Sequence, residues 1–213
     1  NRREGHPVNR KRVQRIMREE KLVLKAKKKP ASRGKPRQKP VPTRPNQWWG
    51  IDMTKFLIEG VGWVYAVRVV DWYSRKVVGY SVDRHCRTEL WTAALEMAVM
   101  QAFPDGSRKH DLFLMSDNGS QPTSKKFMTI TGLLGIQQTF TSYNNPKGNA
   151  NTERWFRTFK EDCVWINEWA SLKEAKKAID KWIEFYNNEY VHSALGGMSP
   201  NEFLKAYYLK NVA

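Results

Sequence analysis

The chain has 213 residues, of which 40% are hydrophobic and 12% aromatic, and it carries a formal charge of +16. That is enough apolar material for one domain with a sizeable core plus an appendage, and too much for a disordered chain. No apolar run approaches the roughly 20 residues of a membrane span, and nothing resembles a cleavable leader. Cys86 and Cys163 make neither a disulfide framework nor a CxxC pair, and none of the four histidines stands with a cysteine at zinc-finger spacing. A cytoplasmic protein without structural zinc is expected.

The charge is unevenly distributed. Residues 1–45 hold 17 Lys and Arg against 3 acids, whereas residues 46–213 hold 20 against 18. The basicity belongs to an arm, and an arm of this kind is an electrostatic footprint for a polyanion, nucleic acid above all. A solvated tail kept for solubility is the competing reading.

In chain order, Asn9 caps a helix expected over 10–22, with Val13, Ile16 and Met17 at helical spacing. So few apolar residues cannot fold alone, so residues 1–24 read as the end of a larger helical unit. Residues 25–46 carry five of the ten prolines among many basic residues, the composition of a semi-extended linker. The globular part then runs over 47–213. Three strands follow closely, WWGIDMTKFL (48–57), WVYAVRVVD (63–71) and KVVGYSV (76–82). A helix is expected over 88–102, a fourth strand over 111–116, a helix over 125–134 capped by Ser124, and a fifth strand over 136–140. The loop TSYNNPKGNAN forbids regular structure. Helices follow over about 152–166, 171–190 and 200–209. Three consecutive strands, then helix, strand, helix and strand, describe an α/β protein. Its sheet is mixed and five-stranded, of the ribonuclease-H-like kind, with flanking helices and a basic helical arm in front.

Three acids occupy places where such a sheet mounts chemistry. Asp52 lies inside the first strand, where a buried charge is costly. Asp117 ends the fourth strand in LFLMSDNGS, and Glu153 opens the helix after the Asn-rich loop. If strands one and four are neighbours, Asp52 and Asp117 converge on one edge, and a helix starting over that edge adds Glu153. Carboxylates brought together this way repel one another unless cations lie between them. Hard oxygen donors suit Mg2+ or Mn2+, and two such ions about 3.5–4 Å apart serve in-line displacement at phosphorus. Each acid also has a plainer role: Asp117 before Asn-Gly forms a turn, and Glu153 complements the helix dipole. Asp71 also ends a strand, and is read as turn-forming or packed with Arg75, outside the metal set.

Thirty-five residues separate Asp117 from Glu153, Asp52 precedes them in a WxxDxT context, and Lys160 follows Glu153 by seven. This resembles the D-D-(35)-E core of retroviral-type integrases and bacterial transposases, most closely the second reading-frame product of the "insertion sequence three" family. The matching segments are WWGIDMT, VVDWYSRKVVGY, MSDNGSQPTS, NNPKGNANTERWFRTFKED and YNNEYVHSALGGMSPNEF, spread over residues 48–203. In the arm, VNRKRVQRIMREEKL is similar to the last helix of the family's helix-turn-helix region. Two departures stand out: Pro122 replaces the family's usual Tyr, and the zinc module of retroviral integrases is not visible.

The resemblance implies a bacterial transposase that cleaves DNA at element ends with two metal ions and transfers strands by 3'-hydroxyl attack. Asp52, Asp117 and Glu153 would be its catalytic, metal-binding triad. A protein dimer or higher assembly on double-stranded DNA is expected. DNA contacts are expected from Lys160, from Asn144, Asn145, Lys147 and Asn149 of the loop, and from the arm residues Arg10, Arg12, Arg15, Lys27, Lys28 and Lys29. Helical spacing puts Glu153, Phe156 and Lys160 on one face, with Trp155, Phe159 and Cys163 on the opposite, core-facing stripe. Lys160 either holds a phosphate or is a solvated lysine, and His192 either contacts the scissile region or caps a helix. A nuclease of the same fold that never joins strands, and an inactive DNA-binding descendant, are the competing functions.

Overall fold

The computed structural model describes residues 9–22, 40–141 and 150–212, without the side chains of 150–153 and 212. The chain divides into two units, Asn1–Lys35 and Pro36–Ala213. In the first, α1 (Arg10–Glu19) is capped by Asn9, whose side chain accepts a hydrogen bond from the Lys11 N–H at 2.9 Å. Its apolar residues Val13, Ile16 and Met17 are all exposed. One amphipathic turn-and-a-half of apolar surface buries nothing by itself, as the sequence implies.

The second unit is a five-stranded sheet in the order β3-β2-β1-β4-β5. Its strands are β1 (Trp48–Ile58), β2 (Gly62–Asp71), β3 (Val77–Asp83), β4 (Phe113–Ser116) and β5 (Gln137–Phe140). The first three form an antiparallel meander; β1 pairs parallel with β4, and β4 parallel with β5. The crossovers are α2 (Thr88–Ala102) and α3 (Lys125–Leu133), the latter capped by Ser124 through Phe127 N–H. After β5 come α4 (Ala150–Phe159), α5 (Leu172–Asn188) and α6 (Pro200–Val212). This is the mixed sheet with helices that the element order predicts.

Alternation along the strands sorts side chains to two faces. Trp49, Ile51, Val67, Val69 and Leu114 pack with Leu90, Leu95 and Phe127 of α2 and α3 in one core. Phe56, Ile58, Val64, Ala66 and Val70 pack with Trp155, Phe159, Ile179 and Trp182 of α4 and α5 in the other. The second core is aromatic: Trp155 stacks on Phe159 with centroids 5.4 Å apart and meets Trp182 edge-on at 5.4 Å. Such pairs each add roughly 0.5–1.5 kcal/mol beyond the area they bury.

The helix expected over 152–166 is not uniform. Its α-helical part ends at Phe159, and Lys160–Val164 is a π-helical turn closed by the Trp165 N–H donating to Lys160 O at 2.8 Å. Widening by one residue lets Cys163 and Val164 stay buried while Trp165 and Ile166 reach solvent.

Gly79 of β3 sits against α2, where a Cβ would lie 2.6 Å from Ala98 N, 2.7 Å from Ala98 Cβ, and closer still to the Ala94 carbonyl oxygen. Backbone cannot yield as a side chain does, so Gly79→Ala should destabilise the domain by about 1–3 kcal/mol. Urea unfolding followed by tryptophan fluorescence measures it.

Candidate active site

The parallel ladder of β1 and β4 pairs Trp48 with Phe113, Trp49 with Leu114 and Gly50 with Met115. Carried two residues further at the same register, Asp52 stands level with Asp117. Side chains alternate with period two, so Trp48, Gly50 and Asp52 share a face with Phe113, Met115 and Asp117. Trp48 and Phe113, the first pair of the ladder, stack with centroids 4.6 Å apart and planes 12° apart, fixing that register. This is the face that carries α4, while Ile51 and Met53 turn to the opposite core. The two acids are thus brought to one edge of one face.

Both acids are half-buried. An Asp52 oxygen accepts the Met53 N–H at 2.7 Å. An Asp117 oxygen accepts the Gly119 N–H at 3.0 Å, closing an Asx turn. Asn118 donates from its amide to Thr141 O at 2.8 Å, tying the end of β4 to that of β5. One Asp117 oxygen thus anchors the turn that ends β4.

Glu153 lies in the first turn of α4, on that face of the sheet; its side chain is outside the described residues, as are the loop residues Asn144, Asn145, Lys147 and Asn149. Among the described side chains no three acidic, His or Cys groups gather as a metal cluster. Lys160 is half-buried where α4 gives way to the π turn. Phe156, expected on the face of Glu153, is 9% exposed and part of the core beside Trp155. Arg10, Arg12 and Arg15 are exposed on α1, Arg15 pairing with Glu19 at 3.7 Å, and Lys27, Lys28 and Lys29 lie outside the described residues.

Asp71 is 1% exposed and does form a turn: its carboxylate accepts from the Ser74 N–H at 2.9 Å, the Ser74 hydroxyl at 2.5 Å and the Asn46 N–H at 3.0 Å. Burial raises its pKa, and those hydrogen bonds oppose the rise. Asp71 stands three residues beyond Arg68, the partner of Asp52, and alternation turns it to the other face of the sheet.

Arg68 went unremarked in the sequence. It faces Asp52 across the β1–β2 ladder and is 3% exposed. Its guanidinium lies 4.5 Å from the Trp155 ring centroid and 4.8 Å from that of Phe156. Burial pulls its pKa down to about 10, against the opposing charges of Tyr186 and Asp52. The signal was available, since Arg68 is the one charge inside the apolar run VYAVRVV.

His192 stands at the N-cap position of a 3-10 turn, Ser193–Leu195, but makes no capping bond with its side chain. Its ring packs 5.1 Å from those of Tyr186 and Tyr190. Burial, then Arg75 and Arg154, lower its pKa. A base depressed in the folded state contributes stability that is present above its unfolded pKa, near 6.5, and lost as pH falls through the folded value. Thermal melts between pH 7.5 and 4.5 should therefore show a smaller acid-side loss of Tm for His192→Gln than for the unaltered chain.

Two models of the integrase core domain family match residues 42–146 and 134–200, and a model of an HTH-like domain matches residues 2–30. The chain is 30% identical to the putative transposase InsK for insertion sequence element IS150 of Escherichia coli, over 99% of this chain and 76% of that one. It is 28% identical to the transposase InsF for insertion sequence IS3A of the same organism, over 94% of this chain and 72% of that one. Among solved structures, it is similar to the HTLV-2 integrase catalytic core domain in complex with magnesium, at 19% identity and TM-score 0.52, covering 76% of this chain and 96% of that one. It is also similar to a chain of the simian T-cell lymphotropic virus intasome, at 18% identity and TM-score 0.62, covering 77% of this chain and 56% of that one.

Proposed function

Because the chain belongs to the insertion-sequence-three family of transposases, polynucleotidyl transferases acting in DNA transposition, we propose that Asp52, Asp117 and Glu153 are its catalytic carboxylates. The observation that carries this reading is the register of β1 against β4: carried two residues past its last pair, it brings Asp52 level with Asp117, on the face of the sheet that carries α4.

The donor set fits divalent metal ions. Carboxylate oxygens are hard donors suited to Mg2+ or Mn2+, and two acids on neighbouring strands repel each other when nothing positive lies between them. When bound, a pair of such ions supplies Lewis acidity at the phosphorus and lowers the pKa of the attacking water or hydroxyl. Asp52 and Asp117 hold that site from rigid strands. Glu153, in the first turn of α4, completes it from above. Lys160 holds a neighbouring phosphate by charge. Water then opens the strand at an element end, leaving a 3' hydroxyl, and that hydroxyl attacks a second phosphodiester. No Ser or Tyr is required as a covalent carrier. Joining two ends calls for at least two copies of the chain on DNA. The arm, with Arg10, Arg12 and Arg15, the Lys27–Lys29 run and the 142–149 loop, tracks phosphates.

Asp52→Asn and Asp117→Asn should each lower Mg2+-dependent cleavage and joining of an oligonucleotide carrying the element's end by about a thousandfold or more, while DNA affinity stays within about threefold. Unchanged turnover in either variant sinks the assignment, and cleavage never followed by joining would mark a hydrolytic nuclease instead. Lys160→Gln is expected to weaken turnover by roughly tenfold. Converting Arg10, Arg12 and Arg15 together to Gln should flatten the slope of log affinity against log salt by roughly 2–3 units, as read by fluorescence anisotropy at several salt concentrations.

A further inference from the structure

A cavity of about 230 Å3 opens where β2, the turn after it, α4 and the segment following α5 meet. Arg68, Arg75, Arg154 and His192 all line it, and none of the described lining residues is acidic. The remaining wall includes the aromatic faces of Trp155 and Tyr186. The site is held by structure around it. Arg68 is fixed in the sheet under Trp155. The His192 loop is clamped by His192 N–H donating to Met198 O at 3.0 Å and by Gly197 N–H donating to His192 O at 2.9 Å. The Nε2 of His192 is buried with no hydrogen-bond partner among the described residues. Burial, then Arg75 and Arg154, lower the pKa of His192, and Arg68 and Arg75 oppose the rise that burial imposes on the Tyr186 hydroxyl.

We propose that this cavity is a phosphodiester pocket, in which Arg68, Arg75, Arg154 and His192 take up a DNA backbone phosphate next to the one being cleaved. The proposal rests on the catalytic reading above and adds residues to it. Guanidinium forks match phosphate oxygens two at a time, which suits arginine and not lysine to such a pocket. Its location also fits. Arg68 stands opposite Asp52 on the next strand, and Arg154 follows Glu153 on α4. A strand whose scissile phosphate rests over the acids therefore carries an adjoining phosphate toward the arginines, and the aromatic walls receive its sugar or base.

The test uses the full chain without divalent metal and a dinucleoside monophosphate, which has one phosphodiester, against its uncharged methylphosphonate analogue. All nine tryptophans lie between residues 48 and 182, and Trp155 lines the cavity, so intrinsic fluorescence reports binding. The charged probe should bind saturably and at least tenfold more tightly than the neutral one. Arg75→Gln and Arg154→Gln should each weaken it about tenfold with Tm unchanged, both side chains being at least partly exposed. Equal binding of charged and neutral probes, or full affinity in both arginine variants, overturns the pocket. Saturable binding of inorganic phosphate without binding of the dinucleotide also overturns it, by marking a free-anion site. Mg2+-dependent nicking by a chain that does not bind the dinucleotide leaves the catalytic reading standing and removes the pocket; dinucleotide binding without nicking does the reverse.

Discussion

The ladder between β1 and β4 is only three residue pairs long, yet the placement of both aspartates depends on it. A slip of one residue along either strand would turn its acid to the opposite core, because side chains alternate face with every residue. Stacking of Trp48 on Phe113 opposes that slip, since it exists in one register only. The aromatic pair and the acid pair occupy the same face four residues apart along each strand. Packing energy at one end of a short parallel contact thus sets electrostatic geometry at the other.

The second constraint is the arginine buried beneath α4. Removing a guanidinium from water is expensive, and the fall in its pKa to about 10 expresses that. Two aromatic faces within 5 Å and the facing Asp52 offset part of the expense. The result is a link between sheet and helix that a purely apolar contact would not make. Trp155 and Phe156 rest on a cation that also faces an acid of the site, so the seating of α4 and the charge balance at Asp52 are coupled. The π turn at Lys160–Val164 follows directly, where the helix leaves the sheet and must keep Cys163 and Val164 covered.

Much of the fold could be read from residue order. The strand runs, the Asn9 and Ser124 caps and the sequence of three strands followed by helix, strand, helix and strand all reflect local periodicity and local hydrogen bonding. Local chemistry also identified Asp71 as a turn former and Asp117 as an Asx-turn residue. Helical spacing over 153–166 does not reveal that Trp155 and Phe156 are both buried, nor that a π turn breaks the period at Lys160–Val164. A charge in a strand, such as Arg68, has meaning only once the neighbours across the ladder are known.

By itself the sequence determined the alternation that gives each strand two unlike faces, the basic arm ahead of residue 46, and three acids at the spacing of an integrase core. These are properties of neighbours along the chain, and short-range sterics and charge suffice to express them. Only the tertiary structure decided that β1 and β4 pair side by side with Gly50 opposite Met115, that Arg68 lies against the Trp155 ring, and that three arginines and a histidine from distant segments line one cavity. The physical reason is that register and packing between elements far apart in sequence are fixed by collective burial, which no local pattern encodes.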